Sequence, residues 1–95
     1  MENDMVKQKL HEYSHDLFRL TDRVMAETDY KVRFVRCSGT GLYCRVYVAG
    51  PGQELTQDGN SYSLYADPGR WEQTRQNYMR CKSRLVGILV TNKKP

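Results

Sequence analysis

The chain has 95 residues, 39% hydrophobic and 27% charged, with fifteen Lys and Arg against eleven Asp and Glu for a net charge of +4. That composition fits one globular domain with a modest core and excludes a disordered chain. No apolar run nears the roughly 20 residues that cross a bilayer, and the polar opening MENDMVKQKL is unlike a secretory leader.

Residues 4–27 predict one long helix. Val6, Leu10, Tyr13, Leu17, Leu20 and Val24 fall in a 4-3-4-3-4 spacing that makes a single apolar stripe. Asn3 or Asp4 is its expected cap, and Thr28-Asp29 ends the pattern. The period then changes to that of strands. In 30–37, Tyr30, Val32 and Phe34 share one face while Lys31, Arg33 and Val35 share the other. After the turn S-G-T-G, residues 42–49 alternate again. Leu42, Cys44, Val46 and Val48 face one way, and Tyr43, Arg45 and Tyr47 the other, so the two runs predict an antiparallel hairpin. Residues 50–60 hold most of the Gly and Pro and predict a mobile loop, or a small extra hairpin turning at Asp58-Gly59. Residues 61–66 predict a third strand. Asp67-Pro68 is a helix start, opening a second helix over 68–88 whose stripe runs through Trp71, Tyr78, Cys81 and Leu85. LVGILVT at 85–91 is β-branched enough for a fourth strand, but the reading leans to helix. Residues 92–95 are a basic tail. The expected fold class is therefore α+β: a two-layer αβββα arrangement with an antiparallel sheet of three strands, or four, and both helices on one face.

Residues 11–15, HEYSH, spell the zinc-protease pattern H-E-x-x-H. At about 100° per residue, His11 and His15 fall nearly opposite the centre of the apolar stripe. A catalytic zinc needs a walled site and a third protein ligand, and the sequence has no third histidine. Both are therefore expected to be exposed side chains, with no metal and no catalytic residue assigned. Phe18 and Met25 lie near them on the wheel, either tucked under a loop or presented to a partner. Cys37, Cys44 and Cys81 match no zinc module and read as small apolar residues of a reducing, cytoplasmic interior.

The hairpin register that pairs Val32 with Val46 and Phe34 with Cys44 would set Arg33 opposite Arg45 and Lys31 opposite Tyr47. Like charges facing across a strand pair repel, and such a pair invites an anion between them. With Tyr43 and Tyr47 beside it, a phosphate is the natural guest and RNA the natural source. The same polar face could instead be solvated, or meet a partner sheet. The cations of the second helix, Arg70, Arg75, Arg80, Lys82 and Arg84, read as a solvated face.

The entry helix ending just before KVRFV (31–35), the strand GLYCRVYV (41–48), the strand SYSLYAD (61–67) leading into the last helix, and the helix end RLVGILVTNKK (84–94) together resemble the small Alu-domain subunits of the signal recognition particle. The resemblance covers residues 10 to 91. It implies the αβββα fold, a homo- or heterodimeric partner, and a folded RNA clamped on the sheet face. The RNA-facing residues it carries over are Lys31, Arg33, Arg45 and Tyr47. The 50–60 segment is an insertion relative to that pattern, and the tail carries only two lysines. GLYCRVYV is also similar to a strand of ribosome-dependent RNase toxins of the RelE type, whose element order differs. The functional expectation is a non-enzymatic RNA-binding subunit of a ribonucleoprotein that uses Lys31, Arg33, Tyr43, Arg45 and Tyr47, with no cofactor and no membrane. Its rival is a small protein-interaction module or inhibitor that uses the same face, and an RNase toxin is the remote third.

Overall fold

Helix α1 spans Asn3–Glu27 and buries the expected stripe: Val6, Leu10, Leu17 and Val24 have almost no contact with solvent. Ser14 and Thr21 are buried on the same side, and each hydroxyl donates to a carbonyl one turn back, on His11 and Phe18. Thr28 ends the helix. Its N–H and hydroxyl both donate to the Val24 carbonyl, and its oxygen accepts from the Tyr30 N–H at 3.1 Å. The chain leaves α1 directly into the sheet. The computed structural model describes residues 3–37, 41–55 and 60–93, so the side-chain cap expected at Asn3, the turn at 38–40, the Asp58-Gly59 turn and the last two residues of the tail lie outside the described residues.

Strands β1 (Lys31–Arg36), β2 (Leu42–Ala49) and β3 (Ser61–Tyr65) form one antiparallel sheet in that order, and α2 (Trp71–Thr91) completes the αβββα order. Val32, Cys44, Val46, Val48 and Leu64 point into a cluster shared with α1 and with Cys81, Leu85, Ile88 and Leu89 of α2. Both helices therefore lie on one face of the sheet and leave the other uncovered. Burial pushes the Cys44 and Cys81 thiols up to about 12, so both stay protonated and pack as small apolar groups.

Residues 85–91 are helical, with Leu85, Ile88 and Leu89 buried, so there are three strands among the described residues and no fourth. Asp67 and Pro68 start the second helical segment as expected. The Asp67 carboxylate accepts from the Gly69 N–H at 2.9 Å, and Pro68–Arg70 form a 3-10 turn before α2 proper. The described part of the 50–60 segment holds a tight turn, in which Gly50 N–H donates to the Gln53 side chain and Gln53 N–H to the Gly50 carbonyl. Gly52 sits there at φ +83°, a conformation that favours glycine.

Trp71 is only half-buried. The buried stripe of α2 begins instead at Thr74 and passes through Cys81 and Leu85. Trp71 belongs to a ring stack on the helix–helix seam: Tyr13 lies between Tyr78, with centroids 3.9 Å apart, and Trp71, 5.6 Å away, all nearly parallel. At the end of that seam Tyr78 Oη donates to Asp16 Oδ2 at 2.5 Å, and Lys82 Nζ reaches the same oxygen at 2.9 Å. Burial on its own would raise the Asp16 pKa, but the hydrogen bonds from Tyr78 and Lys82 outweigh it and hold the carboxyl below its usual 3.8.

Leu85→Ala is expected to cost about 2–5 kcal/mol, and Trp71→Ala less than the ~3–5 kcal/mol typical of a fully enclosed aromatic ring. Urea midpoints of the two variants check the order, and a larger loss at Trp71 would move the anchor of α2 to its first turn. The Asp16 carboxylate, depressed in the folded state, contributes stability that is present above pH 3.8 and is lost as pH falls through the lower folded value. Asp16→Asn is therefore expected to melt below the parent at neutral pH and to converge with it as melts are repeated down through pH 3.8. A gap that persists in acid would mean the latch is not ionic.

Candidate nucleic-acid interface

The uncovered sheet face is built by alternation. The residues of β1 that flank Val32 and Phe34 are Lys31, Arg33 and Val35. Those of β2 that flank Val46 are Arg45 and Tyr47, and those of β3 that flank Leu64 are Ser63 and Tyr65. The strands carry Lys31, Arg33, Arg36 and Arg45 and not one carboxylate. The described carboxylates all lie on the helices and loops.

The register differs from the expected one by two residues. Arg33 lies opposite Tyr47, Arg45 lies opposite Val35 on one side and Ser63 on the other, and Lys31 lies opposite Ala49. Arg33 and Arg45 therefore do not face each other. The two registers keep the same side chains on the same faces, but the observed one sets no cation directly across from another, which removes the repulsion. It also matches Val32 with Val48 inside.

Arg45 is held in place. Its Nε donates to Ser63 Oγ at 3.0 Å and its Nη1 to Tyr47 Oη at 3.4 Å, and the tyrosine contact leads in raising the guanidinium pKa above its ordinary value. Tyr47 thus sits between Arg33, across the strand pair, and Arg45, two residues earlier on its own strand. Lys31 is exposed, with Nζ donating to the Gln53 carbonyl at 3.2 Å. Arg33 is exposed, with no hydrogen bond or ion pair to another described residue.

Tyr43 is the expected site residue that does not join the group. A register irregularity between Leu42 and Cys44 inserts Tyr43 as an extra residue opposite β3. Its ring packs on the core cluster beside Lys7 and Leu10 of α1, with the Arg36 guanidinium 5.5 Å from its centroid. Tyr65 takes its place on the open face, with the Arg70 guanidinium 4.7 Å above the ring. Strand parity with Ser63 was the available signal for Tyr65. Arg70 was grouped with the helix cations because the second helix was expected to start at Pro68, whereas Arg70 ends the 3-10 turn that precedes α2.

Of the other cations of α2, all but the exposed Arg80 have a partner among the described residues. Arg75 pairs with Glu72 at 2.6 Å and Lys82 with Asp16, while Arg84 lies 3.5 Å from the Tyr62 hydroxyl. His11 and His15 are exposed on α1, with ring centroids 4.4 Å apart. No group of three or more His, Cys, Asp or Glu is placed to hold a metal ion among the described residues, and no helix among them is long and apolar enough to cross a membrane. Set against known proteins, the chain matches no family model, no curated protein and no solved structure.

Proposed function

We propose that the chain is a non-enzymatic RNA-binding protein that grips phosphates on its open sheet face. The observation that carries this reading is the charge division: three strands with no carboxylate, with Lys31, Arg33 and Arg45 on the face that no helix covers and Tyr47 adjacent to both arginines. Arg45 is pre-oriented by Ser63 and Tyr47, so little side-chain entropy is lost when its remaining N–H groups meet an anion. Arg33 and Lys31 add charge beside it. Tyr47, and Tyr65 under Arg70, offer rings on which a base or sugar can rest. Such contacts hold a backbone and do not read bases, so affinity is mainly electrostatic and depends on salt.

Fluorescence anisotropy with a labelled RNA hairpin and a labelled single-stranded RNA, repeated over a salt series, tests this. Arg33→Ala and Arg45→Ala are each expected to weaken binding of both probes and to make the salt slope shallower by about one unit or less. Arg75→Ala, whose guanidinium is occupied by Glu72, is expected to leave both unchanged. A parent with no RNA affinity at physiological salt, or an equal loss in all three variants, overturns the reading.

A further inference from the structure

The two edges of the sheet are finished differently. Val48 N–H donates to the Asn60 carbonyl on the β3 side, and Cys37 N–H donates to the Tyr43 carbonyl on the β1 side. By alternation the even residues of β2 bond to β3 and the odd ones to β1. On β3, then, the backbones of Ser61, Ser63 and Tyr65 point outward. The last two lie against α2: Asn77 Nδ2 donates to the Ser63 carbonyl at 2.9 Å, and Thr74 Oγ1 accepts from the Tyr65 N–H at 3.0 Å. On β1 the outward backbones belong to Val32, Phe34 and Arg36. Among the described residues no strand or side chain bonds to them.

Beside that bare edge lies a groove of about 500 Å3 lined by Ser14, His15 and Phe18 of α1 and by Phe34 and Arg36 of β1. Phe18 is 55% exposed and meets Phe34 edge to face at 5.5 Å. The side chains of Val32, Phe34 and Arg36 point to the helix side, the side of the groove. A strand added to β1 would bond through residues directly opposite these three, and the side chains of those residues would enter the groove.

We propose that the β1 edge and the Phe18–Phe34 groove take up an extended, acidic segment of a partner protein as a fourth strand. Charge decides the occupant. β1 reads KVRFVR, with three cations and no acid. A second copy paired through the same strand would gather six cations and no acid on one strand pair, whereas a segment that alternates apolar and acidic residues satisfies both faces at once. Its apolar side chains fill the groove against Phe18 and Phe34. Its carboxylates, on the open face, lie beside Lys31 and Arg33, and Arg36 adds positive charge at the end of the groove. This site shares Lys31 and Arg33 with the RNA reading, which does not use Phe18, Phe34 or Arg36.

The probe is a fluorescein-labelled peptide that alternates glutamate and valine over seven residues, about the reach of β1 at ~3.4 Å per residue, with a lysine–valine counterpart. Anisotropy is expected to show saturable binding of the glutamate peptide alone. N-methylation at the valines, whose amides would face β1, is expected to abolish binding. N-methylation at the glutamates, whose amides would face solvent, is expected to leave it. Phe18→Glu and Arg36→Glu are each expected to weaken binding about tenfold or more, while RNA anisotropy of Phe18→Glu stays at the parent value. The peptide modifications leave the protein untouched, so a folding defect cannot imitate their pattern. Equal binding of the lysine peptide, indifference to which amides are methylated, or absence of binding overturns the proposal. So does light scattering that shows a dimer broken by Phe18→Glu, which would make a second copy the occupant.

Discussion

Cys44, Val46 and Val48 of the central strand have no solvent exposure, and they are the constraint on which the other features rest. Each must point to the helices, and the period of two then sends Arg45 and Tyr47 to the opposite side. With β2 fixed, antiparallel pairing hands the same two faces to β1 and β3. The helices supply the lid through Leu10, Leu17, Leu85 and Ile88, and their own seam is closed by the Tyr13, Tyr78 and Trp71 rings. A side chain that turned Arg45 inward would have to bury a guanidinium without a carboxylate partner, since the strands hold none. Core and charged face are one decision taken at β2.

Because the helices take all their contact from one face, they can finish only the edges they reach. α2 lies against β3 and has Thr74 and Asn77 in position to bond its outer backbone. α1 lies against β1 through Phe18 on Phe34, an apolar contact that satisfies no peptide group. Lys31, Arg33 and Arg36 are the usual protection of a bare edge, because like-charged strands do not pair. The same three cations that discourage self-association favour an acidic strand, so protection against the wrong partner and selection of the right one are the same residues.

Much of this was readable in the sequence, and the parts that were not have identifiable causes. The α1 stripe, the three alternating runs and the Asp67-Pro68 start each rest on a local period or a local cap, and those survive folding. The hairpin register was misread because a two-residue slip keeps Val32, Phe34, Cys44 and Val46 all on the inner face, so burial cannot choose between the two registers. Charge could: the expected register set Arg33 against Arg45, and that conflict was taken as the mark of a ligand site when it was a reason to slide the strand. Tyr43 was lost to an irregularity that alternation does not encode. Residues 85–91 were open between helix and strand, with the lean to a helix ending near 88, because Val86 and Val90 are β-branched; both lie on the exposed side of α2, and burial of Leu85, Ile88 and Leu89 carries the helix on to Thr91.

The two proposed ligands meet on β1, and their chemistry there is not independent. Arg33 is exposed, and no carboxylate in the described residues pairs with it, so its charge is open to whichever anion arrives. A phosphate on the open face and a glutamate on an added strand would both be drawn to Arg33 and Lys31. One charge cannot be fully neutralised twice, so each ligand lowers the affinity for the other, and linkage makes the two reductions equal. Arg45 stands one strand further in, fixed by Ser63 and Tyr47, and stays out of reach of a strand added at the edge. The competition therefore acts on part of the phosphate site and leaves its centre intact. An acidic segment at the β1 edge would attenuate RNA binding on this face without abolishing it.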